Sequence, residues 1–123
     1  MAANAAAGKA FEGRLENFAT ATLVSPVGQV SVQPYDDNGD LVDYKLRLDQ
    51  MGFDPTTGNI VILEGKASDA PTFTDNQEVG IPLLERNGAV VVGNAGGAVF
   101  PAGTRIPPTL VKIITPSVLP PPY

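Results

Sequence analysis

Two charged side chains close an apolar run near the middle of the chain. Residues 60–66 read Ile-Val-Ile-Leu-Glu-Gly-Lys, which places the carboxylate of Glu64 and the amine of Lys66 two positions apart. Side chains in a β-strand alternate between two faces, so this pair would point the same way while Gly65 leaves the other face open. A second carboxylate, Asp49, belongs to the preceding strand-like segment. We expect the three charged side chains to meet, where they could hold a metal ion and activate a water.

The composition limits the chemistry of such a site to carboxylates, lysine and hydroxyls. The 123 residues include no histidine and no cysteine, which excludes disulfides, thiol chemistry and the commonest zinc ligands. Oxygen ligands favour a hard cation such as Mg²⁺ or Mn²⁺. The length predicts one domain over residues 1–123, with the Ala-rich start at 1–7 and the Pro-rich tail at 116–123 as peripheral segments.

The net charge of −5 is opposite in sign to the basic surface typical of nucleic-acid-binding proteins, which gain affinity by neutralising phosphates. An acidic total leaves room for a local basic patch, and a carboxylate site adds negative charge until a cation binds. No apolar run approaches the length of a membrane span, so we expect no membrane segment. The opening residues 2–7 also lack the cationic start and apolar stretch of a signal peptide.

Hydrophobic periodicity predicts the elements that would position these side chains. Apolar residues at helical spacing indicate an N-terminal helix, and alternating or continuous apolar runs indicate strands. In chain order the elements are a helix from 2 to about 20 and strands at 29–33, 41–53 and 60–66. Asn38-Gly39 is a turn of the type that closes a tight hairpin between the first two strands. The unbroken apolar run of the third strand predicts a central position, covered on both faces.

A capping box marks the start of a second helix, because Thr74 supplies an N-cap hydroxyl and Gln77 follows three residues later. The helix is predicted to end at Asn87, and Pro82 predicts a kink or two short helices. The remaining elements are a strand at 89–92, a glycine-rich loop at 93–97, a last strand at 109–115 and an extended or frayed tail at 116–122. The order is helix, three strands, helix and two strands, which predicts an α/β fold with one mixed sheet.

This order, with an Asp on the second strand and Glu-x-Lys on the third, resembles the PD-(D/E)XK nuclease superfamily, to which restriction endonucleases belong. The closest likeness is to small toxin domains at the C-termini of bacterial polymorphic toxins and effectors. The stretches that carry it are 8–12, 47–49, 57–60, 63–68 and 74–77. Leu48 departs from the proline of the superfamily pattern. The resemblance covers about 8–112 and implies a restriction-endonuclease-like αβββαβ core, with a mixed central sheet flanked by helices.

The resemblance also implies a role for each polar residue of the site. Asp49 and Glu64 would coordinate Mg²⁺ or Mn²⁺, together with the backbone carbonyl of Gly65, and the metal would lower the pKa of a bound water. Lys66 would orient that water or stabilise the negative charge of the transition state. Two further residues belong to the implied site: Glu12 would complete its outer part, and Gln77 would lie beside Lys66 and help to position water or phosphate.

Each of these residues also has a structural alternative. The acid-x-lysine spacing recurs at Asp43 and Lys45, which we interpret as a surface hairpin, so the triplet by itself is weak evidence. The Glu-x-Lys pair could form a same-face ion pair on a solvated strand, and Asp49 could be a polar residue near a strand end. Glu12 could belong to a solvated helix face, and Gln77 has a ready role in the capping box.

The sequence thus predicts a metal-dependent nuclease, and we expect DNA as its substrate, with RNA as the alternative. The domain would act as the toxin of an interbacterial effector, delivered into the cytoplasm of a target bacterium as part of a larger secreted protein. A cognate immunity protein is the implied partner. A hypothesis from a different class is a non-catalytic, acidic α/β binding module of a secreted assembly, whose strands serve packing or partner recognition.

Overall fold

A six-stranded mixed sheet with a helix on each face forms the fold in the computed structural model, which describes residues 2–70 and 72–119. The elements are α1 (Ala2–Thr22), β1 (Val24–Pro34), β2 (Leu46–Phe53), β3 (Ile60–Gly65), α2 (Asp75–Asn87), β4 (Ala89–Val92), β5 (Arg105–Ile106) and β6 (Val111–Ile114). Their order across the sheet is β5-β4-β1-β2-β3-β6. The β3–β6 pair is parallel, and the other pairs of the described strands are antiparallel. The predicted α/β class with one mixed sheet is confirmed.

The sheet divides the core into two clusters, one under each helix. Under α1 the buried members are Phe11, Leu15, Ala19, Val61, Leu63, Ile114 and Leu119. On the α2 face they are Val30, Val32, Leu46, Leu48, Met51, Ile62, Leu84, Ala89, Val91, Phe100, Ile106 and Val111. Consecutive residues of β3 therefore pack on opposite faces, and the strand lies between β2 and β6. The central position predicted from its unbroken apolar run is confirmed.

The β2–β3 hairpin sets the register of the predicted site. Its last described ladder pair is Gln50 opposite Leu63, so Asp49 and Glu64 follow at the open end of the hairpin. At the closed end, one carboxylate oxygen of Asp54 accepts two backbone amide hydrogen bonds of 2.8 and 2.9 Å, which fixes the turn. A turn locked in this way holds the two strands in one register and keeps the two carboxylates on neighbouring strands.

The connection from β1 to β2 differs from the predicted hairpin. β1 begins at Val24 rather than residue 29, and β2 begins at Leu46 rather than Leu41. The Asn-Gly turn does form, but it is closed by an isolated bridge between Tyr35 and Leu41. The Asp36 carboxylate accepts two amide hydrogen bonds across the turn, of 2.9 and 3.0 Å. These local bonds compete with the ladder, so the second strand starts later than its apolar pattern suggests.

Helix α2 runs without a break from Asp75 to Asn87, so the predicted alternative of two short helices at Pro82 is wrong, while the predicted kink stays a prediction. Gly80 and Leu84 are buried on its sheet-facing side, and a Cβ at position 80 would lie 2.9 Å from a methyl of Leu46. Close packing of this side on the sheet keeps the helix together despite the missing amide proton. β5 was not predicted, because two residues are too short to show a period.

The Pro-rich tail is less peripheral than predicted. Leu119 is buried in the α1 cluster, and residues 116–118 form a turn rather than an extended segment. The rest of the predicted tail, 120–123, lies outside the described residues. In the described part of the chain, neither helix has the length and apolar character needed to cross a membrane.

Candidate active site

The end of β3 brings a carboxylate, an amine and an amide together. Glu64 is buried, and its Oε2 accepts a 2.6 Å hydrogen bond from Nε2 of Gln77 at the start of α2. Oε1 of the same amide accepts a 2.7 Å hydrogen bond from Nζ of Lys66. Nζ of Lys66 also lies 3.9 Å from Oε2 of Glu64. Glu64 and Lys66 therefore share one face, as the alternation of side chains along β3 predicts.

Asp49 joins this group from β2. Its Oδ2 accepts a 2.7 Å hydrogen bond from the backbone amide of Gly65, and its own amide lies 3.4 Å from Oε1 of Glu64. Each carboxylate thus accepts a backbone hydrogen bond from the strand that carries the other acid, at the open end of the hairpin. The structure brings together the four residues that carry most of the predicted site, namely Asp49, Glu64, Lys66 and Gln77.

The expectation that Gly65 leaves the opposite face of β3 open is wrong. A Cβ built at Gly65 would lie 2.7 Å from Cδ2 of Leu15 and 2.8 Å from Cε2 of Phe11, with Oδ2 of Asp49 at 3.3 Å. Helix α1 fills that space and leaves no room for a side chain. Glycine at this position lets α1 approach the strand that carries the site, and it keeps the amide accessible to Asp49.

Burial sets the electrostatics of the two acids. It raises the pKa of Glu64 to about 7, and the negative charge of Asp49 acts in the same direction. Lys66 and the hydrogen bonds from the Asp49 amide and Gln77 lower the pKa of Glu64 without cancelling these effects. Burial also raises the pKa of Asp49, against the hydrogen bond from Gly65. A bound cation would favour the ionised form of both carboxylates.

Gln77 belongs to the site and to the helix cap at once. Its backbone amide donates to the hydroxyl of Thr74 at 3.2 Å, and its Oε1 accepts from the Thr74 amide at 3.0 Å. The predicted capping box is confirmed. The structural and functional interpretations of Gln77 do not exclude each other, because the cap holds the amide in the orientation that reaches Glu64 and Lys66.

Phe73 is a site neighbour that sequence reasoning missed. Nζ of Lys66 lies 4.7 Å from the centroid of its ring, in a cation–π contact. The amide of Lys66 donates to the carbonyl of Ile114 at 2.9 Å, which fixes the backbone on β6. A lone aromatic residue just before a capping box carries no signal in the sequence, since its partner is seven positions earlier.

Glu12, the remaining predicted side chain, lies on α1 outside the hydrogen-bonded group of the site. Glu12 on α1 is exposed, and its negative charge raises the pKa of Asp49, whereas the positive charge of exposed Arg47 lowers it. Within the described residues, neither side chain has a hydrogen bond to the site. Asp43 and Lys45, the second acid-x-lysine triplet, are exposed and precede β2, in agreement with their interpretation as surface residues.

The chemistry of the donor set fits a hard divalent cation. Asp49 and Glu64 offer carboxylate oxygens, and Mg²⁺ is commonly held by one or two carboxylates while it keeps several waters. Among residues 2–70 and 72–119, no three His, Cys, Asp or Glu side chains form a metal-binding group. A cation here would therefore have water or substrate oxygens as its other ligands.

Comparison with models of protein families, with curated proteins and with solved structures finds no match to this chain. Its function is inferred from the residues and geometry of the site.

Proposed function

We propose that the protein is a small metal-dependent nuclease of the PD-(D/E)XK type, that it cuts DNA, and that it acts as the toxin domain of an interbacterial effector. One observation carries this proposal: Asp49, Glu64, Lys66 and Gln77 converge at the end of a central strand. A buried Glu64 and a half-buried Asp49 beside a lysine are costly for folding alone, and such arrangements are concentrated at functional sites.

The sheet topology supports the finer fold assignment. A restriction-endonuclease-like core needs a strand parallel to β3 after the second helix, and β6 pairs with β3 in that sense. In this interpretation the core is α1-β1-β2-β3-α2-β6. β4 and β5 are then an insertion that extends the sheet beyond β1. The core strand after α2 is thus β6, and not the strand that directly follows the helix.

The role proposed for each residue of the site follows from its charge. A magnesium or manganese ion held by Asp49, Glu64 and the Gly65 carbonyl would supply an acidified water. Gln77 donates a hydrogen bond that favours the ionised form of Glu64. The same amide holds the amine of Lys66 on the site face, where its positive charge would stabilise the extra negative charge on a phosphate under attack.

The substrate class follows from this chemistry. A divalent cation, two carboxylates and a lysine suit attack on a phosphodiester, and Arg47 near Asp49 is a candidate contact to a neighbouring phosphate. The same attack cleaves RNA, so RNA is the alternative substrate. Delivery into the cytoplasm of a target bacterium, as part of a larger effector, would give the nuclease access to nucleic acid, and a cognate immunity protein would protect the producer.

Nicking of supercoiled plasmid DNA in Mg²⁺ tests the activity. We expect Glu64→Gln and Lys66→Ala to lose activity by about a hundredfold or more. Lys45→Ala is the matched control, since Lys45 ends the second acid-x-lysine triplet outside the site, and it should cut at the wild-type rate. Chelation of the metal should stop cleavage. Equal rates in all four proteins would refute the site, and absence of DNA and RNA cleavage by the wild type would favour the non-catalytic binding module.

Expression inside a bacterial cytoplasm tests the toxin role. We expect the wild-type domain to arrest growth and to damage cellular DNA, and the Lys66→Ala variant to be tolerated at the same expression level. Normal growth with the wild type at matched protein levels would contradict the toxin role, while leaving the nicking result to decide the nuclease activity.

A further inference from the structure

The ring of Phe73 contacts the amine of the proposed site from the loop that leads into α2. Its centroid lies 4.7 Å from Nζ of Lys66. We propose that Phe73 is a positioning residue, whose ring holds the Lys66 ammonium at the Glu64–Gln77 contact and so sets the efficiency of cleavage. This role rests on the proposed nuclease function, although the position of Lys66 itself is measured without any substrate.

Packing of the fold gives little reason for an aromatic ring at this position. Among the described residues, Phe73 belongs neither to the two buried core clusters nor to the apolar side chains packed against them. It directly precedes the N-cap Thr74, where an apolar residue often packs against one at the fourth helical position as a hydrophobic staple. Here the fourth position is Glu78, an exposed acid, so the ring has no apolar staple partner there.

The polar partners of Lys66 leave part of its ammonium group unsatisfied. Nζ donates one hydrogen bond, of 2.7 Å, to Oε1 of Gln77, and it makes no other hydrogen bond within the described part of the chain. Oε2 of Glu64, at 3.9 Å, is beyond hydrogen-bond distance. The Lys66 side chain is only 16% exposed. Because a cation withdrawn from water is attracted more strongly to the face of an aromatic ring, Phe73 supplies the attraction that the polar groups leave out.

A ring also suits the site better than a further charged side chain would. Its face attracts an ammonium through the quadrupole of the ring, yet it carries no net charge and offers no oxygen to a metal ion. A divalent cation bound by Glu64 would compete with Lys66 for that carboxylate but not for Phe73. The ring would therefore keep the amine in place while the carboxylate is engaged, ready for the negative charge of the substrate.

NMR of the Lys66 side chain tests the contact directly. Protons over the face of an aromatic ring are shifted upfield by the ring current, so the ε-methylene signals of Lys66 should lie upfield of those of the exposed Lys45. Phe73→Leu should bring them to the Lys45 value, whereas Phe73→Tyr should keep the upfield shift. Ile113→Leu is the control, because Ile113 lines the same cavity of about 300 Å³ as Phe73, and it should leave the signals unchanged.

Fluorination separates the electrostatic effect of the ring from its size, since fluorine withdraws negative charge from the ring face and changes the volume little. With mono-, di- and trifluorinated phenylalanine at position 73, plasmid nicking should slow progressively, which a merely structural role would not produce. Phe73→Leu should slow it by about three- to thirtyfold, the range of a cation–π contact converted to a rate. Phe73→Tyr and the Ile113→Leu control should cut at close to the wild-type rate.

A double variant shows whether the ring acts through Lys66. In the Lys66→Ala background, Phe73→Leu should have no further effect on the residual nicking rate, because the two side chains form one interacting pair. A further loss of the same size as in the wild-type background would overturn the positioning role.

Two other results would also overturn it. One is a set of Lys66 ε-methylene signals that are the same in the wild type and in Phe73→Leu, and the other is a nicking rate that does not respond to fluorination in an active enzyme. A wild-type protein that cuts neither DNA nor RNA would refute the nuclease proposal, and the ε-methylene shift would still decide whether Phe73 holds Lys66 in place.

Discussion

The side-chain amide of Gln77 donates a 2.6 Å hydrogen bond to the carboxylate of Glu64, which links the first turn of α2 to the end of β3. Through its oxygen, the same amide accepts hydrogen bonds from Lys66 and from the Thr74 amide. One residue thus caps a helix and positions an acid and an amine. Helix initiation and site geometry are coupled, and variants at the two cap residues can separate the two roles.

Replacing Gln77 by Leu removes all three side-chain contacts while keeping the volume similar. We expect nicking to slow by about tenfold or more, since Glu64 and Lys66 lose their common partner. Thr74→Ala removes the capping hydroxyl but leaves the Gln77 amide, so it should lower the free energy of unfolding by about 1 kcal/mol with unchanged nicking. Activity and urea unfolding are measured on both variants. A matched loss of activity in both would show that Gln77 acts through the cap.

The raised pKa of Glu64 predicts how stability depends on pH without metal. The folded carboxyl titrates at about 7, against 4.5 for the ordinary group. Between these values the folded protein holds a proton that the unfolded chain releases, so stability falls as pH rises through this window. Glu64→Gln has no such titration. At about pH 8, with chelator, it should be more stable than the wild type by at most about 3 kcal/mol.

That stability difference should disappear below about pH 4.5, where the wild-type carboxyl is protonated in both states. Urea unfolding of both proteins at about pH 8 and below about pH 4.5 measures the difference in the free energy of unfolding. Asp43→Asn, at an exposed acid on the β1–β2 connection, is the control: it keeps Glu64 and should show the same fall in stability with pH as the wild type. A wild-type stability that is constant across the window would contradict a raised pKa for Glu64.

Nicking activity should rise with pH through about 7, because a cation binds the ionised form of Glu64. A higher Mg²⁺ concentration should move the midpoint to lower pH, since the cation competes with the proton for the same carboxylate. Initial rates across a pH series at two Mg²⁺ concentrations provide the measurement. A midpoint that does not respond to Mg²⁺ would place the titrating group outside the metal site.

Gly65→Ala should destabilise the protein by about 1–3 kcal/mol, because its methyl group meets Leu15 and Phe11 at 2.7 and 2.8 Å. Gly13→Ala is the matched control on α1, where nothing lies within 4 Å of the new methyl. Removing glycine from a helix interior should there stabilise by about 0.5–1 kcal/mol. Denaturant unfolding compares the two variants, and equal effects would contradict the close approach of α1 to β3.

Local patterns predict much of this fold, because alternation, continuous apolar runs and the capping box at Thr74 each have a local physical cause. The site residues on β3 share a face for the same reason. Tertiary relationships are different. Three features depend on which elements pack together: α1 covers Gly65, Leu119 packs into the core, and Gln50 lines a cavity with Glu16. Such long-range contacts leave no local periodic pattern in a sequence.

The parallel pairing of β3 with β6 has a consequence for synthesis of the chain. Residues Ile62 to Gly65 pair with Val111 to Ile114, so the strand that carries the proposed site has an unpaired edge until the last part of the domain has left the ribosome. The backbone around Lys66 is fixed on Ile114 at the same late moment. The proposed site is therefore expected to remain incomplete in the nascent chain until residues 111–114 have emerged and paired with β3.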